Sequence, residues 1–78
     1  MVTVLRESGY RFVIHTDDHA PAHVHVWARG KVAKLLLEPV SVVKTGGFNR
    51  SEISNIVDLT LQYQAVLLAE WDKRFETR

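Results

Sequence analysis

Apolar and polar positions alternate in short runs from Val2 to Val43, whereas from Phe48 onward apolar residues recur every three or four positions. The first rhythm is that of half-buried strands and the second that of an amphipathic helix. "VTVLRESGYRFVIH" predicts two strands joined at Ser8-Gly9, and "AHVHVWARGKVAKLLLEP" predicts two more joined at Arg29-Gly30. Pro39 ends the second hairpin because it cannot donate to a ladder. "VSVV" is a possible fifth strand before Gly46-Gly47 breaks the pattern. "FNRSE" then announces a helix, with Asn49 as N-cap, Glu52 completing a capping box and Phe48 placed to staple onto Ile53. Ile53, Ile56, Val57, Thr60, Gln64, Leu67, Leu68, Trp71 and Phe75 form the core-facing stripe. The expected fold is a single α+β domain over 1–78. Its antiparallel sheet of two β-hairpins (1–44) packs on one long C-terminal helix (49–76).

Alternation also sorts side chains by face. His23, His25 and Trp27 share one side of their strand, while Val24, Val26 and Ala28 share the other. A two-residue turn at Arg29-Gly30 pairs His25 with Lys34 and His23 with Leu36, and collects Val24, Val26, Ala33, Leu35 and Leu37 beneath the helix. A one-residue slip would set the histidines opposite apolar partners, so the pattern selects this register. The first hairpin places Leu5, Tyr10, Phe12 and Ile14 toward the core, and Arg6, Arg11, Val13 and His15 away from it. Joined, the two hairpins give a face with Arg6, Arg11, His15, His23, His25 and Lys34, and with Glu38 as its acid.

A net charge of +1 hides such a face rather than excluding it. The chain has no cysteine, so disulfides and zinc–thiolate sites are excluded and any metal must use histidine or carboxylate ligands. No apolar run is long enough to span a bilayer, and no export signal opens the chain, so the sequence reads as cytoplasmic.

Three of the four histidines lie within "DDHAPAHVHVW". Imidazole serves as acid or base near neutral pH, and the face has the parts for metal-independent phosphodiester chemistry on RNA. His23, His25, Lys34 and Glu38 are the candidate catalytic residues; Arg6 and Arg11 would hold phosphates and Trp27 would stack a base. In the alternative reading, His19, His23 and His25, with Asp17, Asp18 or Glu38, hold a divalent transition metal such as zinc. His15 alone reads as an ordinary strand residue. Leu59, Leu61, Tyr63 and Val66 widen the apolar surface of the helix beyond its core stripe. This excess points to a protein partner or a homo-oligomer through Leu59, Tyr63 and Val66.

The ordered set Arg11-Phe12, His23 to Val26, and Lys34 with Leu37 to Pro39 resembles the small bacterial family catalogued as domain of unknown function 4160, over nearly the full chain. Ala22 stands where that family often has a second proline, and Leu36 where it often has tryptophan. Genes of the family commonly sit beside a small partner gene, an arrangement similar to toxin–antitoxin pairs. The resemblance therefore implies a toxin-like component paired with a small antitoxin-like protein, while RNA as its target is the expectation drawn from the histidine-bearing, cationic face. A non-catalytic or metal-binding interaction module is the competing expectation.

Overall fold

In the computed structural model, which describes residues 1–75, both strand-joining turns use left-handed backbone at two successive positions. These are Ser8 (φ 53°) with Gly9 (φ 83°), and Arg29 (φ 49°) with Gly30 (φ 77°). Two-residue turns of this hand match the right-handed twist of the strands they join. They fix β1 (Val2–Glu7) against β2 (Tyr10–Ile14) and β3 (His23–Ala28) against β4 (Lys31–Leu37). In the second hairpin His25 lies opposite Lys34 and His23 opposite Leu36, as the alternation predicts. The first hairpin pairs Arg6 with Arg11 and Leu5 with Phe12, then slips by one residue between Thr3 and Leu5. The "VSVV" run does form β5 (Val40–Lys44), paired antiparallel to β4. The five strands lie in chain order, each hydrogen-bonded to its sequence neighbours.

Helix α1 (Arg50–Gln62) begins with the expected capping box, Asn49 accepting from the Glu52 backbone N–H while Glu52 accepts from the Asn49 N–H. The Glu52 carboxylate is also paired with Arg29 and lies 3.7 Å from Lys31, which ties the tip of the second hairpin to the helix start. The expected single helix is interrupted at Tyr63, and α2 (Gln64–Phe75) continues from there. No glycine or proline causes the break. Side chains on either side of it are anchored to the sheet: the Tyr63 hydroxyl donates to Glu7 at 3.1 Å, and Gln64 Nε2 donates to the Leu37 carbonyl at 2.6 Å. The two segments bury Ile56 with Thr60 and Leu67 with Trp71. The expected end of the helix at residue 76 lies outside the described residues.

One face of the sheet meets the helices. Tyr10, Phe12, Ile14, Val24, Val26, Ala33, Leu35 and Leu37 form the core there with Phe48, Ile56, Leu67 and Trp71. Burial of these side chains from water is the main force holding the helices down. Gly46 marks where the connection to α1 crosses β4: a Cβ at this position would sit 1.6 Å from the Val32 carbonyl oxygen. No other residue type fits that crossing.

Candidate functional site

The opposite face of the sheet carries the predicted polar and cationic set in cross-strand rows. One row runs Thr3, Val13, His25, Lys34, Lys44, and a second runs Arg6, Arg11, Trp27, Val32. Neighbouring strands lie about 4.8 Å apart, so each row is a short ladder of adjacent side chains. Among the five strands the only acid is Glu7, and it bonds Tyr63 on the helix side. Lys44, which sequence reasoning did not place here, joins the face because β5 pairs it with Lys34. Val13 is fully buried without belonging to the helix-side core, so the side chains of this face pack on one another.

The loop between β2 and β3 folds back as a turn. The Asp18 N–H donates to the His15 carbonyl at 3.1 Å, and the His15 N–H donates to Asp18 Oδ2 at 3.0 Å. This exchange presents the other carboxylate oxygen, Oδ1, to His23 Nε2 at 3.2 Å. His23 Nδ1 lies 2.8 Å from the Pro21 carbonyl, which only accepts, so Nδ1 carries a proton. His23 is 5% exposed, and its ring centroid lies 5.1 Å from that of Trp71 on α2. The His25 ring lies 5.4 Å from His23 and 4.4 Å from His15, edge to face with both. Three imidazoles and one carboxylate are thus gathered by a turn and two strands.

Burial lowers the proton affinity of His25 most, with the neighbouring His15, His23 and Lys34 adding to the effect and Asp18 opposing it. These effects favour the neutral ring, which keeps a free nitrogen lone pair. His25 Nδ1 is buried without a hydrogen-bond partner among the described residues, as are Arg11 Nε and Trp27 Nε1 on the same face. Asp18, His23 and His25 each offer a metal-ligand atom, and the three atoms lie within 4.8 Å of one another.

Of the residues singled out from sequence, the structure brings Arg6, Arg11, His25, Trp27 and Lys34 onto one face, with His23 at its margin. The carboxylate ion-paired to His23 is Asp18, while Glu38 lies exposed in the turn between β4 and β5. His19 is exposed and stands outside the ligand group, in which Asp18 takes the third place. His15, read from sequence as incidental, abuts His25. Along the helices, Leu59 and Tyr63 pack against the core, whereas Leu61 and Val66 are 55% and 47% exposed. No helix among the described residues is long and apolar enough to cross a membrane.

Neither the curated proteins nor the solved structures contain a significant match to the chain. Residues 9–72, which run from the first turn through β2, the second hairpin, β5 and α1 into α2 and include the whole histidine cluster, do match one family. The chain belongs to the family described as Domain of unknown function (DUF4160).

Proposed function

We propose that this protein is the toxin-like member of a two-protein bacterial module and acts on RNA bound across the open face of its sheet. The observation that carries this reading is the arrangement of Arg6, Arg11, His25, Lys34 and Lys44 around Trp27 on a face whose strands present no acid. Cations spaced along neighbouring strands suit a phosphate backbone, and a half-buried indole among them suits stacking of an unpaired base. His25 lies within this surface. The expected pairing of His23 and His25 as acid and base has less support, because both ring nitrogens of His23 already face Pro21 and Asp18.

The partner surface in this reading is the outward side of the helices, where Leu61 and Val66 are exposed. A small antitoxin-like protein would cover it, and self-association is the competing outcome. The decisive experiment expresses the untagged chain alone in a bacterial host, beside a Lys34→Gln/Lys44→Gln variant at matched soluble level. Wild type is expected to arrest growth and to bind single-stranded RNA, with both effects weakened in the variant. A wild-type chain that neither binds RNA nor slows growth would remove this reading.

A further inference from the structure

The loop between β2 and β3 builds something that an RNA-binding face does not require. We infer that Asp18, His23 and His25 form a three-ligand site for a divalent first-row transition ion, zinc in the first instance, at the margin of the open sheet face. This goes beyond the RNA reading and stands without it.

Three features carry the inference. The first is donor spacing. The three ligand atoms lie within 4.8 Å of one another, and donors about 2.1 Å from a tetrahedral ion are separated by roughly 3.4 Å, so small side-chain rotations close the shell. The second is outer support. Metal-bound histidines usually donate their remaining N–H to a carbonyl or carboxylate, and His23 Nδ1 meets the Pro21 carbonyl at 2.8 Å. The Asp18 carboxylate is oriented in turn, because the His15 N–H holds Oδ2 and turns Oδ1 toward His23 Nε2. The third is an unmet requirement. His25 Nδ1 is buried without a hydrogen-bond partner among the described residues, and an ion held beside His23 and Asp18 would satisfy it.

The chemistry of the donors sets the class of ion. Two imidazoles and one carboxylate suit zinc and neighbouring borderline ions, and are poor for calcium or magnesium, which take oxygen ligands. Three protein ligands leave at least one position for water or a ligand oxygen, as in sites that do chemistry. Trp71 walls the His23 side with apolar surface. Lys34, opposite His25, opposes a cation, and the Asp18 charge offsets it.

The test uses the full untagged chain, stripped with chelator and then titrated with zinc against a chromophoric competitor, with cobalt as a spectroscopic probe. One equivalent of zinc per chain is expected, displacing cobalt from a low-coordinate site with intense visible bands. Asp18→Asn and His25→Ala should each weaken zinc binding at least ~10-fold, while His19→Ala should leave it unchanged. Because His23→Ala removes a buried ring, the assignment rests on the other two variants, with circular dichroism confirming that they fold. Absence of stoichiometric zinc in wild type would overturn the inference, as would unchanged affinity in both folded variants or loss of binding in His19→Ala. RNA takes no part in these measurements, so they stand or fall apart from the proposed function.

Discussion

Both ring nitrogens of His23 are set by loop neighbours, Pro21 and Asp18, and that loop has no periodicity. Sequence alternation therefore placed His23, His25 and Lys34 correctly, since a strand carries its side chains at fixed intervals. It could only name Asp17, Asp18 and Glu38 together as carboxylates, because the choice of Asp18 depends on the turn it makes with His15. The same turn explains why His15 read as incidental and why His19 read as a ligand. Lys34→Gln should tighten zinc binding several-fold by removing a nearby positive charge, which competitive titration would detect. Backbone strain gives a separate expectation. Ser8 holds a left-handed conformation that asparagine tolerates better, so Ser8→Asn should raise unfolding stability by about 0.5 kcal/mol in urea titrations. Gly46→Ala would force a methyl group into the Val32 carbonyl and should cost about 3 kcal/mol or more.

The hairpins were legible as elements because register and burial agreed: only the two-residue turns put Tyr10, Phe12, Ile14, Val24, Val26, Ala33, Leu35 and Leu37 together on the helix side. The interruption at Tyr63 was not, because the three-and-four rhythm passes through it without a helix breaker. The side chains at the interruption bond partners far away in sequence, Glu7 and the Leu37 carbonyl. This changes which helix residues can report on a partner. Val66→Glu should leave folding intact and abolish co-purification with the proposed partner, whereas Leu59→Glu should unfold the chain because Leu59 packs against the core. Equal loss of stability in the two variants would contradict that division. The start of α1 supplies an acid dependence. The Asn49 N–H, and after it the Arg29 side chain, hold the Glu52 carboxyl below its ordinary proton affinity. A depressed carboxyl stabilises the fold above its unfolded value, and this support is lost as pH falls through the folded one. Thermal melts on acidification should therefore show a smaller decline for Glu52→Gln than for wild type.

Across the whole molecule, the sheet separates two kinds of surface: a helix-covered core on one side and a cationic, tryptophan-bearing face on the other. Near-neutral net charge hid this polarity in composition, and only the strand register exposed it. If RNA lies on that face, log affinity should fall with log salt, and losing two phosphate contacts in Lys34→Gln/Lys44→Gln should flatten the slope by about 1.4. A salt-independent interaction would argue against backbone contact. The ligands Asp18, His23 and His25 are close neighbours in the chain, yet the wall behind His23 is Trp71, near the far end of α2. If an ion binds there, its occupancy and the seating of the last helix become parts of one equilibrium. A partner that draws α2 away from the sheet lowers the affinity for the ion, and by reciprocity a bound ion resists that partner. The ring contact at His23 turns a local ligand set into a gauge of whether the molecule is closed.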